Sequence, residues 1–132
     1  MIEEGIVALL LADAGVTALI GRRITALILP QDSTCYPALT FQNIASLPPQ
    51  FALDGTEVDM MRLQFDAFGR SYGEAKRVLN AVRNVLNAFA GVLSDGSRIL
   101  FSYEAQSIDH FENNTKIYRS LSEYVIEFVD AP

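Results

Sequence analysis

The apolar residues of the N-terminal segment recur with the period of an α-helix. They fall on one face of residues 2–14, at Ile2, Ile6, Leu9 and Leu10. Two acidic residues, Glu3 and Glu4, stand in the first turn, where negative charge is favoured by the helix dipole. Gly15 is a typical helix stop, and residues 16–20 predict one further helical turn. The chain is therefore expected to begin with two consecutive helices.

Short apolar segments then predict two strands. Residues 24–29 are apolar and end at Pro30, and residues 38–46 alternate between apolar and polar positions. Adjacent prolines at 48 and 49 are expected to break this second strand, because proline cannot donate to a sheet ladder. Residues 47–55 are accordingly interpreted as a loop or a hairpin tip.

The middle of the chain carries the clearest pattern. Residues 57–68 alternate strictly, with Met61, Leu63, Phe65 and Ala67 on one face and Arg62, Gln64 and Asp66 on the other. Such alternation predicts a strand in a sheet with one buried face. Ser71 and Glu74 then have the spacing of a capping box. A helix is predicted over residues 72–89, with apolar residues at a spacing of three and four.

The C-terminal third predicts a strand at residues 98–105, a polar bend at 106–114 and a long last strand at 115–129. The last strand is apolar on both faces, with Tyr118, Tyr124, Ile126 and Phe128 on one and Leu121, Val125 and Val129 on the other. A strand of this kind must be covered on both sides, by the same chain or by another subunit. The element order predicts an α+β fold, with a mostly antiparallel sheet and two main helices packed on one face.

Length and charge narrow the function. A chain of 132 residues fits one domain over residues 1–132, and half of its residues are hydrophobic. The net charge of −6 argues against specific nucleic-acid binding, because phosphate contacts need clustered Lys and Arg. The N-terminus lacks a basic region before its apolar run, and that run is too short to span a membrane. The protein is expected to be soluble and unexported, with no membrane partner.

Candidate catalytic residues are few. His110 is the only histidine, and in a polar bend it is interpreted as a solvated residue rather than a ligand or a base. Cys35 is the only cysteine and has no evident base near it in sequence, which favours an idle thiol over a nucleophile. We therefore predict no enzyme activity, no catalytic or metal site and no cofactor.

Several segments, taken together, carry a resemblance. They run in this order: Ile2–Ile6, Gly15–Ile24, Pro37–Gln42, Leu63–Phe68 leading into Ser71–Ala75, and Phe111–Arg119. This collinear set resembles the tail-completion, or tail-terminator, family of long-tailed bacteriophages and prophages. Ser120 and Ser122 depart from it, because relatives tend to place large apolar residues in the last strand.

The resemblance implies a structural protein of the virion tail, assembled in the bacterial host cytoplasm. Such proteins form a ring, usually of six subunits, that caps the tail tube and provides the head–tail joining surface. The implied partners are other copies of the chain, the tail tube protein and a head-completion or connector protein. Two alternatives stay open: a neck connector or other minor tail protein, and a small ligand-binding or enzymatic α+β domain.

Candidate contact residues lie in the proline-containing loop and near the second helix. Phe51 and Leu53 are large apolar residues on a segment expected to stand outside the sheet, so they are predicted to reach a neighbouring subunit or the tail tube. The alternative is that both fold back over the core. Arg22 and Arg23 are predicted to donate charge to an acidic neighbour.

Overall fold

The computed structural model describes residues 1–28, 36–51, 55, 57–112 and 116–130, with side chains for all of these except 47–51 and 112. The helices are α1 (Ile2–Leu11), α2 (Ala14–Ile20) and α3 (Tyr72–Leu86). The strands are β1 (Ile24–Ala26), β2 (Ala38–Phe51), β3 (Glu57–Gly69), β4 (Gly91–Val92), β5 (Arg98–Glu112) and β6 (Ile117–Val129). The predicted α+β class is confirmed.

These strands form one sheet in the order β1-β2-β3-β6-β5-β4. The pair β1–β2 is parallel, and the pairs β2–β3, β3–β6, β5–β6 and β4–β5 are antiparallel. The two central strands, β3 and β6, therefore have a neighbour on each side. The helices pack on one face of this sheet, and we call the opposite side the helix-free face.

The alternation along β3 decides which side chains enter the core. Leu63, Phe65 and Ala67 are buried against the helices, as is the β6 pair Tyr124 and Ile126. The Phe65 and Tyr124 rings meet edge to face, with their centroids 5.8 Å apart. Edge-to-face contact is a favourable arrangement for aromatic pairs. The core is thus built from one face of each central strand, as the alternating pattern predicts.

Helix α3 begins as its capping signal predicts. The Ser71 Oγ accepts a hydrogen bond from the Glu74 amide at 3.1 Å, and the Glu74 carboxylate accepts one from the Arg70 amide at 3.0 Å. The helix ends at Leu86, three residues before the predicted end. Just after the helix the chain contacts β5, where the Ala88 amide donates a hydrogen bond to the Ser102 carbonyl at 2.8 Å.

Strand β2 is longer than predicted. Its backbone pairing with β3 continues from Ala38 to Phe51, so the adjacent prolines do not end it. The ladder shifts register between Leu47 and Gln50, which places both prolines inside a bulge. Beyond Phe41 no described residue pairs with the outer edge of β2. Proline is tolerated in such positions because no ladder hydrogen bond is lost there.

Strand β5 is also longer than predicted. The expected polar bend at residues 106–114 is wrong, because β5 runs unbroken to Glu112 and pairs with β6 along its length. At least one polar side chain of this segment finds its partners without a bend. Asp109, for example, accepts hydrogen bonds from Tyr72, Lys76 and Ser120. Strand β4 was not predicted, and β1 ends three residues before its predicted end.

The two serines of β6 are buried rather than misplaced. Ser120 lies opposite Ala67 and Ser122 opposite Phe65 in the register of β3 and β6. Small side chains at these positions leave room for the aromatic ring of Phe65 and for the helix above it. Dense packing of alternating large and small residues is typical of protein interiors.

The buried face of α3 yields the first testable prediction. Leu79→Asp or Val82→Asp would bury a charge within the apolar core, at sites with 4 % and 0 % exposure. The expected loss is about 3 kcal/mol or more, a large share of the stability of a small domain. Thermal unfolding would measure it, with Asn80→Asp on the exposed face of the same helix as the control. An unchanged melting temperature in either buried variant would contradict the packing described here.

Candidate assembly surface

The described residues hold no evident catalytic or metal centre. No group of three or more His, Cys, Asp or Glu side chains among them is placed to hold a metal ion. His110 lies exposed on β5 opposite Arg119, rather than in a bend, and Cys35 lies outside the described residues. In the part of the chain that is described, no helix is long and apolar enough to cross a bilayer.

An apolar groove runs between helix α1 and the β1–β2 edge of the sheet. It encloses about 930 Å³ and is lined from the helix by Val7 and Leu11 and from the strands by Ile24, Leu27 and Phe41. Glu3, Glu4 and Arg22 also line it. We call this feature the edge groove.

The edge groove exists because α1 is apolar on two sides. Ile2, Ile6 and Leu10 are buried in the core, whereas Val7 and Leu11, about 100° further round the helix, are only half-buried. A helix with apolar residues all round normally lies inside a protein. Here the second apolar side faces the edge groove, where the described residues leave it uncovered.

The centre of the helix-free face is polar and cross-linked. Arg62 of β3 and Glu123 of β6 form an ion pair at 3.0 Å, and Arg119 and Asp66 form another at 2.6 Å. Gln64 also donates a hydrogen bond to Asp66, at 2.8 Å. The two ion pairs connect β3 to β6, and each neutralises the charges of its two side chains. The two carboxylates are nearly buried, so the pairs belong to the fold more than to a free binding surface.

The helix-free face becomes apolar toward the β4–β5 edge. The exposed large side chains there are Val92, Phe101, Tyr103 and Ile108, with exposed fractions of 70 %, 45 %, 40 % and 48 %. The Phe101 and Tyr103 rings pack together, with centroids 4.8 Å apart. Arg98 lies beside Val92 in the ladder of β4 and β5. We call these four apolar residues the outer strip, because exposed apolar groups that lie on one face mark candidate contact surfaces.

Asp109 fixes the distal half of β5 to the start of α3. Its carboxylate accepts from the Tyr72 hydroxyl at 2.8 Å, from the Lys76 ammonium at 3.1 Å and from the Ser120 hydroxyl at 2.9 Å. Partial burial alone would raise the pKa of Asp109, but the hydrogen bonds from Tyr72, Ser120 and Lys76, with the positive charge of Lys76, hold it below its usual value. The carboxylate is therefore favoured in its ionised form.

The residues predicted to make contacts lie in different places. Arg22 lines the edge groove. Arg23 donates hydrogen bonds to the carbonyl oxygens of Pro37, at 2.9 Å, and Leu19, at 3.2 Å, so it ties helix α2 to the start of β2. The backbone of Phe51 ends β2, and Leu53 lies outside the described residues. The structure thus places Arg22 on an open apolar surface and gives Arg23 partners within the chain.

Neither the edge groove nor the outer strip was predicted from the sequence. A signal for the first was present, since Val7 and Leu11 break the one-sided pattern of α1. For the outer strip, Phe101 and Tyr103 alternate with polar residues, but both were assigned only to a short strand. Their exposure follows from the position of β5 near the sheet edge, which no local pattern reveals.

Comparison with known proteins identifies relatives of this chain. The profile of the family described as "Tail completion protein gp17" matches residues 4–126. Among solved structures, a chain of the "Virion of native gene transfer agent (GTA) particle" has a TM-score of 0.72 and 15 % sequence identity. The match covers 95 % of this chain and 92 % of that one, and it shows a shared fold. No curated protein matches the chain.

The Asp109 site yields a pH-dependent prediction. Because its pKa is lower in the folded chain than the ordinary value of 3.8, its stabilising effect is present above that value and is lost as the pH falls through the folded pKa. Asp109→Asn should lower the free energy of unfolding at pH 7 by up to about 1 kcal/mol, the range of exposed ion pairs. Urea unfolding from pH 7 to 2.5 should show this difference shrinking below pH 4, whereas a constant difference would contradict the ionic contribution.

Proposed function

The chain belongs to the tail completion protein family, and we propose that it forms a ring that caps the tail tube of a phage-like particle and joins it to the head. The family membership makes it a structural protein of a phage-like tail. The proposal adds two features to this family role: a ring, usually of six copies, and a surface that joins the tail to the head. The partners proposed are further copies of the chain, the tail tube protein and a head-completion or connector protein, assembled in the host cytoplasm.

One observation carries the ring proposal: among the described residues, nothing covers two separate apolar surfaces at the two edges of one sheet. The edge groove lies at the β1–β2 edge, and the outer strip lies at the β4–β5 edge. A chain that presents two different contact surfaces associates head to tail, and such association produces a closed ring when the rotation between copies closes. In the described part of a single copy, both surfaces lie open to water.

We propose no catalytic role for the chain. His110, the only histidine, stands exposed on β5. Four ionisable groups at the centre of the helix-free face are joined in two pairs across β3 and β6. Ion pairs that stabilise a sheet fit a structural component of a particle, and we propose no cofactor for the chain.

We further propose that the far end of the β2–β3 hairpin contacts the tail tube or a neighbouring copy. This proposal concerns Phe51 and Leu53, which follow the bulge that carries the two prolines. Phe51 closes the β2–β3 ladder opposite Glu57, so it stands at the extremity of the longest hairpin arm in that part of the sheet. Of the two arginines, Arg22 remains the better donor to an acidic neighbour, because Arg23 is engaged by carbonyl groups of its own chain.

Purified protein tests the ring directly. Size-exclusion chromatography with light scattering, followed by negative-stain electron microscopy, should show a ring, alone or on the ends of tubes formed by the tail tube protein. A protein that stays monomeric and leaves tube ends bare would contradict the proposal. Binding to the connector but not to the tube would favour a neck role instead.

Charge yields a prediction about DNA. Six copies of a chain with net charge −6 would carry about −36, and a field of that sign repels phosphate groups. We expect no measurable binding of duplex DNA at physiological salt, so that DNA passes the ring without sticking. A gel shift at micromolar protein that weakens as salt increases would overturn this expectation.

Substitution separates a contact role of the hairpin end from a role in stability. Phe51→Ala and Leu53→Ser should reduce the oligomer or the capping of tubes while leaving the melting temperature of the monomer unchanged. Light scattering and thermal unfolding measure the two effects on the same samples. A large fall in monomer stability would assign both side chains to the core, and unaffected capping would remove them from assembly.

A further inference from the structure

The two uncovered surfaces face opposite sides of the sheet. The edge groove opens on the helix side, because its strand residues Ile24 and Phe41 pair in register with buried residues of that side. The outer strip lies on the helix-free face, since Phe101 and Tyr103 pair with Glu127 and Val125 of β6. One sheet therefore carries a receiving surface at one edge and a protruding surface at the other.

We propose that the edge groove of one copy receives the outer strip of the next. Each sheet would then partly overlap its neighbour around the ring. This inference rests on the proposed ring and adds which surfaces meet. Overlap of the two faces needs no rearrangement of either strand, because the contact is between side chains rather than between strand edges. Stacked sheets pack about 10 Å apart with their side chains interdigitated.

The apolar contents of the two surfaces match. In the edge groove, the apolar side chains of Val7, Leu11 and Phe41 are half-buried. The outer strip supplies large side chains that stand free, with the paired rings of Phe101 and Tyr103 at its centre. Aromatic side chains buried in a pocket are typical anchors of protein interfaces.

The charges around the two surfaces are complementary. The edge groove carries Glu3 and Arg22, and the outer strip has Arg98 and Glu127 beside it. None of these four side chains forms an ion pair with another described residue. A copy docked with Arg98 toward Glu3 and Glu127 toward Arg22 would satisfy all four.

The same charges disfavour a symmetric contact of groove with groove. The edge groove carries two carboxylates, Glu3 and Glu4, and one arginine, Arg22, so two facing grooves would bring together an excess of negative charge, which opposes association. A head-to-tail contact avoids this repulsion. In a closed ring it also uses every groove and every strip, so neither remains exposed. A second copy of this chain is therefore the occupant that we assign to the edge groove.

A charge swap tests the contact under conditions in which the wild type forms rings. Arg98→Glu and Glu3→Arg should each lower the ring fraction at least tenfold at low salt, and the double variant should restore it. Arg77→Glu, an exposed change on α3 outside both surfaces, is the control and should leave the ring intact. Single variants that keep the ring, or a double variant no better than the worse single one, would overturn the contact.

Cysteine cross-linking provides an independent measurement. In a Cys35→Ser background, Leu27→Cys marks the edge groove and Val92→Cys marks the outer strip, at sites with 67 % and 70 % exposure. Mixing the two variants should produce disulfide-linked dimers that neither variant forms alone.

The outcomes separate this contact from the ring itself. Cross-linking of Leu27→Cys with itself would show a symmetric groove contact and overturn the inference. Rings without any cross-link in the mixture would overturn it too, while leaving the ring function standing. A wild-type chain that forms no ring, alone or on tube ends, would instead contradict the proposed function.

Discussion

The register between β3 and β6 is the constraint on which the rest of the structure depends. On the helix side it places Phe65 against Tyr124, and on the helix-free face it places Arg62 against Glu123. A slip of one residue would exchange the two faces of a strand and carry the charged side chains into the core. Apolar packing and ion pairing therefore require the same alignment, and the positions of the helices and the outer strands follow from it.

The parts of the fold that were predicted correctly are those whose signals are local. The alternation of residues 57–68 and the cap at Ser71 each specify a conformation through neighbouring residues alone, and both are confirmed. The errors arise where tertiary contacts override local preference. The distal half of β5 has a loop-like composition, yet Asp109 is held by side chains from α3 and β6, which lie far away in sequence. The prolines of β2 are tolerated because of a bulge and an outer edge with which no described residue pairs, and the sequence reveals neither.

The candidate contact surfaces were less accessible to sequence reasoning, for a geometric reason. The edge groove requires α1 and the β1–β2 edge to stand side by side, and their relative placement depends on the whole sheet. Leu11 in isolation is an ordinary helix residue, and Phe41 an ordinary strand residue. From the sequence, Arg22 was identified only as a charge near a helix end. The structure shows that it lines the edge groove, and that position makes its charge relevant to a contact with a partner.

The proposed ring requires that association of the chain stops at a fixed number of copies. The arrangement of the two surfaces affects that number. Head-to-tail contacts form open filaments unless the rotation between successive copies closes the circle. In the proposed ring, the rotation between copies would be set by the angle between the edge groove and the outer strip. The curl of the sheet in a single chain determines that angle. The fold that holds Phe65 against Tyr124 would then also fix the number of copies in the ring. A charge of −6 on every copy slows unguided encounters, so complementary pairs such as Arg98 with Glu3 contribute orientation as well as attraction.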